Sequence, residues 1–335
     1  MIRPLRPAMD TPAPGPTALR RIAAGPGELT LGVELPLDND WSSGGRRAAA
    51  VAGRAPGVPD LTRHHQLAQL ADGLGFAALW LRDVPLWDPS FGDAGQVFDP
   101  FPYLGYLAAV TRRIQLGTAA VALPLRHPLH VAKMAATIDR LSQGRLILGI
   151  ASGDRPIEYP VFGVDHERRA QAVRDGVQIM RRAWAEAGTG GADIQVLPAP
   201  ANGTIPLVMA GKGQQTLDWL AACLDGHFTY HRPGHAMRPV AEQWLRACGG
   251  AYRPLLTTML VDLLDDPDAP AEPMRFGARL GRQALIDYLE ELRAAHVAHV
   301  ALNFRPSSRP VQDVLLEIAG HVLPRFPSPS PVAAV

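Results

Sequence analysis

Apolar residues along this chain recur at two spacings that alternate. Short runs dense in Val, Ile, Leu and Phe lie at Leu29–Leu35, Phe76–Leu81, Ile114–Leu123, Leu146–Ile150, Ile205–Met209, His227–Tyr230, Leu255–Leu263 and Val297–Phe304. Between them the apolar positions shift to helical spacing, at Leu61–Leu74, Pro128–Leu141, Glu167–Ala187, Gln214–Cys223, Ala236–Cys248 and Arg282–Ala295, with a last segment at Pro310–Leu323. A strand followed by a helix, repeated, predicts a parallel sheet, because parallel neighbours need a crossover between them. Runs such as Leu146-Ile-Leu-Gly-Ile150 are apolar at nearly every position, as strands covered on both faces are. Eight such runs predict a closed (β/α)8 TIM barrel over residues 29–324, with room for two insertions. An open doubly wound sheet is the competing architecture.

The insertions follow the first and seventh runs, at Pro36–Asp60 and Leu264–Gly281, on the face where barrels bind ligands. They carry no periodic pattern and are expected to be lids with Trp41, Arg275 and Phe276 as substrate contacts, or plain surface insertions. Residues 1–28 and 325–335 are rich in Pro with Ala, Arg or Ser, and both are expected to be disordered extensions.

Composition narrows the function classes. The balance of 33 basic against 32 acidic residues carries no mark of a nucleic-acid binder. No uncharged apolar run reaches the roughly 18 residues of a membrane-spanning helix. Two cysteines, Cys223 and Cys248, make neither a disulfide framework nor a four-thiolate zinc site. The first residues hold no apolar signal core, so a cytoplasmic location is expected. No histidine pair has metal-ligand spacing on a helix face, and no metal is expected.

Three segments carry candidate chemistry. In Ile205-Pro-Leu-Val-Met-Ala-Gly-Lys-Gly-Gln-Gln-Thr-Leu-Asp-Trp219 a strand gives way to a glycine-bounded turn and then a helix. The turn holds Lys212, one of two lysines in the chain, the other being Lys133. Glycine backbone, fresh helix N–H groups and an ammonium suit an anion, phosphate above all; a plain strand–helix turn is the alternative. Thr216 stands at the third glycine position of G-x-G-x-x-G, so a dinucleotide fingerprint is weak. After the fourth run come Ser152, Gly153, Asp154, Arg155 and Tyr159, ligand contacts or turn formers at the expected rim. At the third run, Gly117, Thr118, Ala119 and Ala120 are small. They leave space for a flat ring or serve close packing of the barrel itself. Asp83 follows the second run beside Arg82 as a substrate-orienting acid or a salt-bridge partner. His127 is a candidate acid–base group or a structural histidine.

The phrases LGTAAVALPLRHPLHVAKMAATIDRLSQGRLILGIASGDRPIEYPVFGVD and PLVMAGKGQQTLDWLAACLDG resemble the bacterial luciferase-like monooxygenase family, over about Leu29 to Pro324. The resemblance implies an FMN-binding (β/α)8 barrel, an oxidoreductase and most of all a monooxygenase, acting with dioxygen on a small molecule. It also implies reduced flavin from a separate reductase, and a homodimer. It implies a cis peptide at Ala119–Ala120 beside the flavin ring, and phosphate contacts from Gly213 and Thr216, which Gly211 and Lys212 of the anion-suited turn are expected to join. Ser152, Gly153 and Tyr159 fall opposite them. Where luciferase has an arginine, this chain has Ser152, and Lys212 stands in place of a glutamate, as though the positive charge had crossed the phosphate site. The luciferase histidine after the second strand is missing here, since Arg82 and Asp83 occupy that rim. Coenzyme F420 with hydride transfer is the alternative within the same family. A Schiff-base lyase using Lys212 and a flavin-binding protein without turnover are the readings outside it.

Overall fold

The computed structural model describes residues 16–55, 57–91, 98–189 and 194–328. Its strands are β1 (Thr30–Glu34), β2 (Ala78–Leu81), β3 (Gln115–Thr118), β4 (Leu146–Ala151), β5 (Leu207–Ala210), β6 (Gly226–Thr229), β7 (Leu255–Leu263) and β8 (Val297–Asn303). Each pairs in parallel with the next, and β8 pairs with both β7 and β1, which closes the barrel. All eight apolar runs are therefore strands of one parallel barrel, and the doubly wound alternative falls.

The helices depart from expectation where local chemistry overrides periodicity. Pro100–Val110 is a helix that spacing did not reveal, because PFPYLGYLAAV is apolar on nearly every side. Its start is set by Asp99, whose side chain accepts from the Phe101 N–H at 3.0 Å, with Pro100 in the first turn. The helix expected from Gln214 begins only at Leu217, since Gln214 has a φ of 61° that no right-handed helix accepts.

Both insertions have structure of their own, against the expectation of patternless lids. The first holds a helix, Ser43–Val51, capped by Ser42, whose Oγ accepts from the Gly45 N–H at 2.9 Å. It is pinned to the β8 exit by a buried ion pair in which Arg305 Nε donates to Asp40 at 2.6 Å. Trp41 lies under that same guanidinium, 4.6 Å from ring centroid to Arg305, and is committed to packing there. In the second insertion, Gly277–Leu280 pairs in parallel with the outer half of β7 and antiparallel with Glu272–Met274. This three-stranded wall stands above the rim.

The terminal segments also differ from expectation. Ala18–Ile22 is a helix whose Ala18, Leu19 and Ile22 are buried, and Phe326 is buried beneath Arg293. Residues 16–28 and 325–326 are thus part of the fold, while 1–15 and 329–335 lie outside the described residues. Five residues are too few to display a helical period, which is why the N-terminal helix is illegible in sequence.

Inside the barrel, Trp80 and Phe228 meet edge-on at 5.0 Å. The Trp80 indole N–H donates to His299 Nε2 at 2.9 Å, and His299 Nδ1 lies 2.7 Å from Thr30 Oγ1. An indole nitrogen only donates, so Nε2 accepts and Nδ1 carries the imidazole proton toward Thr30. Thr30 Oγ1 in turn donates to the Ile22 carbonyl at 2.5 Å, which joins the N-terminal helix to the barrel interior. Gly32 and Gly117 make the arrangement fit. A Cβ on Gly32 would lie 2.8 Å from His299 Nε2, and one on Gly117 would lie 2.4 Å from the Trp80 ring. The space beside Gly117 is thus filled by the protein's own indole rather than left for a ligand ring.

Burial alone depresses the pKa of His299 to about 3; burial first, then nearby cations, take His227 to about 4, and burial foremost takes His231 to about 4. All three are neutral when folded and regain a normal pKa of about 6.5 when unfolded, so the unfolded chain takes up their protons first. Stability is expected to be full above about pH 7 and to decline as pH falls from 6.5 toward 4, by up to about 1.4 kcal/mol per pH unit for each histidine. Urea denaturation midpoints between pH 7.5 and 4.5 check this; a flat profile contradicts it.

Candidate active site

The exits of β3, β4 and β5 are neighbours, so the three segments singled out from sequence converge on one sector of the barrel mouth. After β3 the Ala119–Ala120 peptide is cis, and Val121–Ala122 then rejoins the sheet beside Ile150 and Ala151. Thr118 fixes this exit: its hydroxyl donates to the Gly149 carbonyl at 2.7 Å and accepts from the Gly149 N–H at 2.9 Å. After β4, Ser152 is buried and Gly153 takes a φ of 87°. Tyr159 is wholly buried, and its hydroxyl donates to the Ser152 carbonyl. Tyr159 therefore shapes the Ser152–Gly153 turn from below and does not face the mouth.

After β5 the backbone turns left-handed at Gly211, Gly213 and Gln214, with φ of 64°, 54° and 61°. The Gly211 N–H donates to the Phe228 carbonyl and the Gln215 N–H to the Lys212 carbonyl, both at 2.9 Å. Among the described residues, no backbone acceptor meets the amides of Lys212, Gly213 and Gln214. Such successive amides form an anion-binding concavity. Gln215 braces the turn from behind: its Nε2 donates to the Gly213 and Ala170 carbonyls, each at 2.9 Å, and its Oε1 accepts from Arg174 at 2.8 Å. Lys212 is exposed above it. The helix Leu217–Cys223 contributes little, being seven residues long with its N-terminus already capped by Thr216, whose Oγ1 accepts from the Trp219 N–H. The turn and its lysine, rather than a helix dipole, attract the anion.

Two candidate catalytic residues are corrected. Asp83 is buried and accepts from Arg126 Nε at 3.0 Å, from Arg126 Nη2 at 2.8 Å and from the Ala122 N–H at 3.2 Å. Both oxygens are committed to holding the chain just past Ala119–Ala120, and the salt-bridge partner is Arg126 rather than Arg82. His127 is exposed, and its Nδ1 accepts from the Leu129 N–H at 3.3 Å, which makes it the cap of the helix Pro128–Leu141. Its Nδ1 is thus engaged as a cap, a structural role that the sequence had left open.

Glu34 was not among the expected site residues, yet it ends β1 inside the barrel. Thr30 and Gly32 face inward against His299, and alternation along the strand carries Glu34 inward one step nearer the rim. Its Oε2 accepts from Thr258 Oγ1 at 2.7 Å, and Arg82 Nε lies 3.9 Å from Oε1. The readable signal was an acid at the inward, C-terminal end of an otherwise apolar strand, Thr-Leu-Gly-Val-Glu. Farther round the rim, exposed Tyr230 stacks on Phe276 of the second insertion at 5.8 Å, with Arg275 over the Phe276 ring.

Among the described residues, no group of three or more His, Cys, Asp or Glu is placed to hold a metal, and no helix is long and apolar enough to cross a membrane.

Comparison with known proteins agrees with this architecture. The model of the luciferase-like monooxygenase family matches residues 41–257, more than half of the chain. The chain belongs to that family, whose members are oxidoreductases. It is 28% identical over 215 residues to 4-hydroxyprotoasukamycin monooxygenase of Streptomyces nodosus subsp. asukaensis, a match covering 59% of this chain and 56% of that one. It thus spans about half the length of that relative. Among the solved structures that share the fold across 89% of this chain, three illustrate its range. A monooxygenase from Streptomyces bottropensis superposes with a TM-score of 0.69 at 20% identity over 99% of its length. The coenzyme F420-dependent tetrahydromethanopterin reductase of Methanopyrus kandleri gives 0.65 at 16%, also over 99%. The oxygenating constituent of 3,6-diketocamphane monooxygenase of Pseudomonas putida, in complex with FMN, gives 0.64 at 13%, again over 99%.

A double-mutant cycle on Asp83→Ala and Arg126→Ala is expected to show a coupling of about 0.5–3 kcal/mol in unfolding free energy, the range for directly bonded neighbours. Additive effects would return Asp83 to the list of unassigned acids.

Proposed function

We propose that this chain is a flavin-dependent monooxygenase that uses reduced FMN and dioxygen on a small organic substrate. One observation carries the reading: an amide-lined, lysine-bearing turn after β5 stands in the same barrel sector as the small residues Ala119 and Ala120 that follow β3. The residues fit such a cofactor. The open amides of Lys212, Gly213 and Gln214 and the Lys212 ammonium would hold its phosphate, with Gly211 shaping the turn, Thr216 ending it, and Ser152 and Gly153 at the adjoining exit. Ala119 and Ala120 give the ring a small, flat neighbour. Reduced flavin, when bound, supplies the electrons that activate dioxygen. The chain's own part is to place substrate and cofactor together and to keep water out. The Gly277–Leu280 wall and the docked first insertion raise the sides of the mouth for that purpose. Delivery of reduced FMN by a separate reductase, a homodimeric assembly and a cytoplasmic location belong to the same reading.

Oxygen uptake by the purified chain with reduced FMN, set beside the absorbance of oxidised F420 mixed with the chain and the same candidate substrates, tests the proposal. Substrate-dependent uptake with FMN alone is expected; bleaching of F420 with no oxygen consumed favours hydride transfer and overturns it. Lys212→Met is expected to weaken FMN binding about tenfold or more at low salt, equivalent to about 1.4 kcal/mol, with the loss shrinking as salt rises. Unchanged affinity in an equilibrium titration contradicts the role given to Lys212.

A further inference from the structure

The buried carboxylate of Glu34 has no part in the cofactor contacts described above, and its surroundings define what it can receive. It ends β1 directly beside Trp80, its register partner on β2, so it borders the apolar floor made by Trp80 and Phe228. One oxygen takes the Thr258 hydroxyl at 2.7 Å. The other stands 3.9 Å from the Arg82 guanidinium, beyond hydrogen-bond length. An ionised carboxylate offers about four acceptor sites, so it can still receive a donor entering from the rim. Arg82 already balances its charge at that distance, and an ammonium ion would meet Arg82 head-on. A neutral hydroxyl on a mostly apolar body meets no such opposition. It also gains a charge-assisted bond where water is thin.

From this we infer that Glu34 is the specificity-determining contact of the mouth and that the substrate class is an apolar molecule bearing a hydroxyl group, whose O–H donates to the carboxylate. Thr258 is a positioning residue that fixes the carboxylate rotamer. The inference deepens the monooxygenase reading and rests on it for the nature of the reaction, but binding can be measured apart from turnover.

The experiment is isothermal titration calorimetry on the full chain, with and without FMN, using matched hydroxyl and methyl-ether probes. The pairs are para-ethylphenol against para-ethylanisole and cyclohexanol against methoxycyclohexane. The hydroxyl member of at least one pair is expected to bind about tenfold more tightly than its ether, the scale of one charge-assisted hydrogen bond. In Glu34→Gln that preference is expected to shrink to about twofold while the FMN affinity stays within about twofold of the original. Thr258→Val, which keeps the charge and loosens its position, is expected to fall between the two and serves if Glu34→Gln does not fold. No preference in the original chain, or an undiminished preference in both variants, overturns the inference. So does a loss confined to FMN affinity, which would place the carboxylate against a ring N–H of the cofactor. Failure of the original chain to bind FMN, with the hydroxyl preference intact, would instead count against the flavin reading alone.

Discussion

The filling of the barrel by Trp80 is the constraint on which the mouth depends. An indole inside a closed parallel barrel must find a partner for its N–H, since an unmet buried donor costs on the order of 1–3 kcal/mol. His299 provides that partner, and it stays neutral because burial depresses its pKa. The chain of donors then runs through Thr30 to the Ile22 carbonyl, so the polar demand of one side chain is settled at the opposite end of the barrel. Gly32 and Gly117 are the sequence's concession to this arrangement, each giving up a side chain where the rings need room. The result is a rigid apolar floor, and everything polar at the rim stands on it.

Charge at the rim divides into committed and available groups. Arg126, shared between Asp83 and Asp99, holds the exit of β3, and Asp40 and Arg305 pair to hold the first insertion. Buried pairs of this kind contribute little net stability against apolar replacements, but losing one partner is costly, so they serve to fix geometry. Lys212, exposed on a turn of open amides, is positioned for an incoming anion. Glu34, on the far side of the same mouth, is positioned for an incoming donor. The two lie at the β5 and β1 exits, with the small residues after β3 and β4 between them in the strand order. A cofactor with an anionic end and a substrate with a hydroxyl would therefore enter from different sides.

Much of the fold was legible because strands buried on both faces leave continuous apolar runs, and all eight such runs became barrel strands. The cis peptide at Ala119–Ala120 was legible through family resemblance alone, as no spacing or propensity announces it. Illegible elements share a physical cause: their structure is decided by contacts distant in sequence or by segments too short to show a period. The helix Ala18–Ile22 takes its place from the interior chain of hydrogen bonds, and Pro100–Val110 shows no helical period because its exposed face, with Pro102, Tyr106 and Ala109, is as free of charge as its buried one. Asp83 and His127 were plausible on rim position, but Arg126 lies 43 residues from Asp83 in sequence, and a cap is read from backbone geometry. Glu34 was passed over because a single acid ending an apolar strand looks like the start of a loop.

The account turns on the phosphate turn after β5, and FMN and riboflavin differ by that phosphate alone. Parallel equilibrium titrations of the purified chain with the two flavins at low salt measure its contribution directly. Binding of FMN tighter than riboflavin by about a hundredfold, or roughly 2.7 kcal/mol, is the predicted result. Equal affinities would mean that the open amides of Lys212, Gly213 and Gln214 hold no phosphate, and the central claim would be contradicted.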